Sequence, residues 1–183
     1  MLKNMWEALS PYIKNIINDV GFGTFFEALL NQETHEYKDL QLLLALVRHF
    51  WDSTCTFYFL GIGEVMLTPY DFFVITGLRL GGERIHVNDS LTSIEIKKLL
   101  GVVPSKMKSK NIPLSWLCES IPQCDTVAKG ARMFILLFIR TFLCLDLGSR
   151  MNLHYLWSLR KIERIQNYDW GAMAYATLLH FMT

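Results

Sequence analysis

Apolar residues recur at helical spacing along most of this chain. Ile13, Ile16, Ile17 and Val20 fall at i, i+3, i+4 and i+7 behind a Ser10-Pro11 start signal, and Gly21 and Gly23 end that N-terminal helix. A second short helix is expected over 24–30. A third is expected near 39–50, where Leu40, Leu43, Leu44 and Val47 repeat the spacing. The period then changes. From Thr54 to Leu60 β-branched and aromatic residues alternate, Gly61-Ile62-Gly63 supplies a turn, and Glu64 to Leu67 returns, which predicts a β-hairpin. Thr68-Pro69-Tyr70-Asp71 offers a capping hydroxyl, a proline at the first helical position and an acid at the third, so a helix should run to about Gly77. Gly81-Gly82 makes the next turn. Thr92 and Glu95 form a capping box, and Gly101 closes that helix.

Between 102 and 112 the apolar rhythm gives way to Pro104, serines and Lys106, Lys108 and Lys110, which reads as a mobile loop. Helices are expected over 113–121, 125–145 and 152–166, with a last one from Asp169. In the penultimate helix Tyr155, Leu159 and Ile162 would share one face, with Arg160, Lys161 and Arg164 on the other. The last helix runs to the C-terminus without a stop signal, as a chain cut from a longer one would. The fold expected is mainly α: one compact helical domain over 1–183 with a small β-hairpin insert, residues 1–20 forming an N-terminal helix.

Composition narrows the function classes. Hydrophobic residues make up 51% of 183 residues and charged ones 19%, which suits a folded core and not a disordered tail. A net charge of +1 gives no global attraction to nucleic acid or anionic lipid, so any such binding must be local. Cys55, Cys118, Cys124 and Cys144 lie far apart with no CxxC pair and read as reduced thiols. The N-terminus carries Glu7 and Pro11 where an export signal would be apolar. The most apolar run, Met133 to Ile139, is far short of the ~20 residues a spanning helix needs. Nucleus or cytosol is the expected location, with no membrane association.

Motifs for chemistry are sparse. His35, His49, His86, His154 and His180 form no HExxH or HxH spacing, and no GxSxG elbow, P-loop or dinucleotide fingerprint occurs. No metal, cofactor or catalytic residue is expected. A cryptic enzyme would need a pocket of converging polar groups around a perturbed titrating residue. Lys97, Lys98, Lys106, Lys108 and Lys110 place five cations within fourteen residues, which serves either a solvated loop or contacts to nucleic acid. Trp51, Trp116, Trp157 and Trp170 fit core packing or exposed interface anchors.

Ordered along the chain, Trp51 with Thr54-Cys55-Thr56-Phe57, Gly63-Glu64, Leu67-Thr68, Asp71 and Thr76-Gly77-Leu78 resemble the opening signature of the plant mobile domain. Leu114-Ser115-Trp116-Leu117, the apolar helix from Ala131, Gly148-Ser149-Arg150, His154-Tyr155-Leu156 and Tyr168-Asp169-Trp170-Gly171 continue the resemblance, which covers about 20–183. It implies a domain shared by plant transposable elements and host proteins similar to the maintenance-of-meristems proteins. Such proteins are nuclear, are linked to transposon silencing, gene expression and meristem integrity, and associate with or are fused to a PP7-type serine/threonine phosphatase. The family is also labelled aminotransferase-like, yet no phosphate cup or lysine in a Schiff-base setting is evident here. The matched positions Trp51, Gly63, Glu64, Trp116, Arg150, Tyr155 and Trp170 are read as holding the fold. For Glu64 two partners stay open: local backbone amides or Arg150. A noncatalytic protein-interaction module docking a PP7-like phosphatase is the expected function. The alternatives are a nucleic-acid-binding domain using Lys106, Lys108 and Lys110, and, second, a cryptic enzyme.

Overall fold

A computed structural model describes residues 2–31, 40–101, 110–143 and 150–182. Four helices open the chain: α1 (Leu2–Ala8), α2 (Pro11–Asp19), α3 (Gly23–Asn31) and α4 (Leu40–His49). Ser10 caps α2 by accepting the Ile13 amide, with Pro11 in the first turn, as the start signal predicts. The N-terminal helix expected over 1–20 is two helices, α1 and α2, broken at Leu9-Ser10, where Ser10 and Pro11 start a new one; α1 buries Trp6, and Leu9, just past its end, is buried as well.

A small antiparallel meander follows, formed by β1 (Phe50–Trp51), β2 (Thr56–Phe59) and β3 (Gly63–Val65). The predicted hairpin is its second half, with Phe57 opposite Val65 and Tyr58 opposite Glu64. Its turn closes through the Ile62 amide on the Phe59 carbonyl, 3.0 Å, with Gly61 at φ +85° in the left-handed region. The added strand β1 sits where the third helix was expected to finish. α5 (Pro69–Thr76) and α6 (Ser93–Leu100) both start with the predicted capping boxes. Hydroxyl and amide hydrogen bonds from Thr68 hold the Asp71 carboxyl below the usual carboxylate range, and amide and hydroxyl bonds from Thr92 do the same for Glu95.

Beyond it come β4 (Asn111–Pro113), α7 (Leu114–Ser120), α8 (Val127–Phe138), β5 (Arg150–Asn152) and α9 (Trp170–Met182). β4 and β5 pair antiparallel, Ile112 opposite Met151, so the end of the expected loop and the proline of an expected helix are strand instead. Residues 102–109 of that loop lie outside the described residues, as do 144 and 145 of the long helix expected over 125–145. That helix is α8 continued by a π-helical turn, Ile139–Leu143.

The helix expected over 152–166 is not formed. Two 3₁₀ segments, Leu153–Trp157 and Ile162–Asn167, replace it. The reason lies in where the backbone acceptors go. Arg132 on α8 takes the carbonyls of Leu159 (2.9 Å) and Arg160 (3.1 Å), which a continuous helix would give to its own amides. The Ser158 hydroxyl meanwhile accepts the His86 amide and donates to the His86 carbonyl, tying the turn to a distant segment.

The core is built around α8. Every residue from Met133 to Ile139 is buried, a helix apolar on all sides that must be covered on all sides. α2 lays Ile13 and Ile17 against it. Aromatic rings fill the interval: Trp6 stacks on Phe26 at 4.8 Å, and Phe26 and Phe22 meet Phe138 at 4.6 and 4.9 Å.

The Tyr168-Asp169-Trp170-Gly171 stretch shows why a sequence motif can be structural. The Asp169 carboxylate accepts the Ala172 amide at the start of α9, and the buried Trp170 indole N–H donates to the Ile165 carbonyl, 2.8 Å. Glu83 and Tyr168 form a bridge through the Glu83 amide on the Asn167 carbonyl and the Asp169 amide on the Glu83 carbonyl. Gly171 faces the Arg79 carbonyl so closely that a methyl group there would overlap backbone. Gly171→Ala is therefore expected to lower stability by about 1–3 kcal/mol, read as a lower urea midpoint with unchanged m-value. A neutral result would mean the 78–79 segment can withdraw freely.

Candidate interaction surface

Residues 40–76 carry an apolar surface that the core does not absorb. Among those whose side chains are described, only Thr56 and Phe72 are buried. Val47, Leu60, Ile62, Tyr70 and Ile75 are each at least 70% exposed, and Trp51 is half exposed, stacked on Tyr58 at 5.7 Å. The stripe that predicted α4 thus shows Leu44 and Val47 to solvent, where an amphipathic helix would turn them inward. Charges are few across this stretch: Arg48, Asp52, Glu64 and Asp71. Apolar exposure on this scale, spread over α4, the three-stranded sheet and α5, is larger than the scattered apolar residues of an ordinary protein surface.

The segment is attached at its edges. Tyr175 on α9 donates its hydroxyl to the Leu67 carbonyl, 2.6 Å, and its ring meets Phe72 at 5.6 Å. The outer faces of the sheet and α5 stay uncovered.

A second surface is basic. Lys98 and Leu99 on α6 face Trp157, Arg160, Lys161, Arg164 and Tyr168 across a groove of about 530 Å³. Arg164 chelates both carboxylate oxygens of Glu83 through one nitrogen, 2.7 and 2.8 Å, and Arg160 approaches Glu95 at 3.5 Å. The Arg160 guanidinium carbon lies 4.3 Å from the centre of the Trp157 ring.

The residues singled out from the sequence spread over the fold. Trp51, Gly63 and Glu64 belong to the exposed sheet, Gly63 at φ +97° opening β3 and Glu64 pointing outward opposite Tyr58. Arg150 is on β5, donating to the Asn111 carbonyl at 2.6 Å, and is not paired with Glu64. Trp116 and Tyr155 pack half-buried against the core, and Trp170 lies within it. Lys106 and Lys108 lie outside the described residues. Lys110 takes φ +59° before β4, where its carbonyl accepts the Leu153 amide at 3.0 Å. The cations that do come together are Lys98 with Arg160, Lys161 and Arg164, more than fifty residues apart in sequence.

Comparison with known proteins places the chain. A family model described as "Domain of unknown function (DUF8566)" matches residues 1–183. The chain belongs to that family. It is 26% identical to Protein MAIN-LIKE 1 of Arabidopsis thaliana over 97% of this chain and 36% of that protein. It is 29% identical to Protein MAINTENANCE OF MERISTEMS over 75% of this chain and 31% of that protein, from the same plant. A Serine/threonine-protein phosphatase 7 long form homolog, also from Arabidopsis thaliana, is 27% identical over 76% of this chain and 11% of its own length. All three are plant mobile domain proteins, in agreement with the resemblance drawn from the sequence. The chain spans little more than a third of these relatives at most. No solved structure matches. No helix among the described residues is long and apolar enough to cross a membrane.

One motif residue in this family member has a titration consequence. His154, against Tyr155 at 4.2 Å, keeps its buried Nε2 without a hydrogen-bond partner among the described residues, and its Nδ1 is 3.7 Å from Asp89. Burial lowers its pKa below the ordinary imidazole value of 6.5, with Asp89 opposing only in part. The unfolded chain then binds the proton more readily, so the His154 contribution to stability is complete above about pH 6.5 and is lost as pH falls through the lower folded value. Urea unfolding at pH 7.5 and 5.5 should show a drop in the parent that His154→Gln reduces. An equal drop in both would refute the assignment.

Proposed function

We propose that this chain is a noncatalytic protein-interaction module that docks a PP7-like serine/threonine phosphatase through the apolar surface of residues 40–76. The carrying observation is that surface: Val47, Leu60, Ile62 and Ile75 exposed on elements that leave their outer faces uncovered. Apolar and aromatic anchors ringed by few charges are the composition of a buried interface centre. The phosphatase as occupant is supported by the phosphatase 7 long form homolog among the relatives. A nuclear location and a part in transposon silencing, gene expression and meristem maintenance are the setting that the family resemblance and the name of the maintenance-of-meristems relative support.

The noncatalytic reading has its own support. A second cavity, about 470 Å³, lies between α1, α2 and the start of α8, lined by Met5, Leu9, Ile13 and Ile121, with Asp125 its lone carboxylate. Burial pushes the Cys124 thiol beside it up, away from a reactive thiolate.

Binding of the purified chain to a PP7-type phosphatase domain, measured by isothermal titration calorimetry, should give micromolar or tighter affinity with a negative heat-capacity change. Ile62→Asp with Ile75→Asp, both solvent-exposed, should weaken it about tenfold or more while leaving the melting temperature unchanged. Absence of binding at micromolar concentration, or full binding by the double variant, counts against the docking.

A further inference from the structure

We propose that the groove between α6 and the 157–168 segment binds single-stranded nucleic acid, a site independent of the apolar surface. The chain as a whole carries only +1, yet this groove gathers Lys98, Arg160, Lys161 and Arg164 around one lining carboxylate, Glu95. One of its oxygens takes the Thr92 amide and hydroxyl at 2.9 and 3.0 Å and the other lies 3.5 Å from Arg160, while Arg164 is held by Glu83. Lys98 and Lys161 are exposed and have no ion-pair partner among the described residues, so their charge is available to phosphates. The excess is local, which is where a nearly neutral chain must place it to attract a polyanion.

Stacking surfaces distinguish this groove from a bare cationic patch. The Arg160 guanidinium lies over Trp157 while the side chain remains 41% exposed, presenting a planar cation on an aromatic support. Half-buried Tyr168 adds a second ring to the lining. Unpaired bases stack on such guanidinium and aromatic planes, whereas bases inside a duplex are closed to them. A phosphopeptide would use the lysines but has no call on the stack. The two walls are also held in register: Arg132 donates to the carbonyls of Leu159 and Arg160 on one wall and to Leu99 on the other, at 2.9, 3.1 and 3.5 Å. A groove of this volume is the size of a small-ligand site, room for about one or two nucleotides at a time.

The test uses the whole chain and fluorescein-labelled ten-nucleotide RNA and DNA strands of mixed sequence, followed by fluorescence anisotropy between 50 and 200 mM salt. Binding of either strand, falling with salt and quenching tryptophan emission, is the expected result, and the two arms show which sugar is preferred. Lys98→Ala with Lys161→Ala should weaken binding about tenfold and flatten the log–log salt slope by about 1.4, two phosphate contacts at about 0.7 each. Arg160→Lys keeps the charge and removes the plane; a loss of about fivefold with an unchanged slope is expected. Each variant's melting curve should match the parent's. No binding at 50 mM salt, full affinity in the double lysine variant, or tighter binding of a phosphoserine peptide than of either strand would overturn the proposal.

Discussion

Everything in this fold answers to one constraint: a helix segment, Met133 to Ile139, that is buried on every side. A helix with only one apolar stripe can rest on a single neighbour, but this one exposes no face that water could solvate without cost. α2, α6, α7 and the aromatic group of Trp6, Phe22 and Phe26 therefore close around it. Even the buried Arg140 obeys the constraint. It falls in the π-helical turn that ends the apolar run and donates to the Arg150 carbonyl, so its polar head finds backbone where the core gives way to β5.

Because α8 takes so much covering, other apolar residues are left over. More than half of residues 40–76 are Leu, Ile, Val or aromatic, yet they connect to the core mainly through Phe72, Leu67 and Tyr175. Composition makes no distinction between these two sets of apolar residues; only the three-dimensional arrangement separates a core from an exposed apolar surface.

That distinction is also what limited the reading of the sequence. Local signals were legible because they act over three or four residues: Ser10, Thr68-Asp71 and Thr92-Glu95 cap the helices they were expected to cap, and Gly77 takes the left-handed φ of +69° that ends α5. Long-range interactions were not legible. Nothing near positions 152–166 announces that Arg132, more than twenty residues earlier, will capture the Leu159 and Arg160 carbonyls, so helical periodicity there misled. The β4–β5 pair likewise joins strands 39 residues apart, as the Arg150 to Asn111 bond records, and each strand is too short to carry a pattern. Both halves of the groove stand in the sequence, Lys98 in one basic cluster and Arg160, Lys161 and Arg164 in another; what the sequence does not carry is that the fold brings Lys98 to them.

Arg132 connects the two levels. It projects from the helix that the core is built on, and burial lowers its pKa although Glu163 pulls the other way, the mark of a guanidinium drawn partly out of water to serve neighbouring groups. Its acceptors are three carbonyls, two of them in the turn that displays Trp157, Arg160 and Lys161 and one at the end of α6 beside Lys98. A planar donor fork suits that task, since it fixes direction as well as distance where a lysine would fix only position. The geometry of the basic groove is thus inherited from α8, whereas the apolar surface over 40–76 is tied to α9 through Tyr175, which donates to the Leu67 carbonyl and meets Phe72. The contacts that hold the two surfaces are different ones: Arg132 for the groove, Tyr175 for the apolar segment.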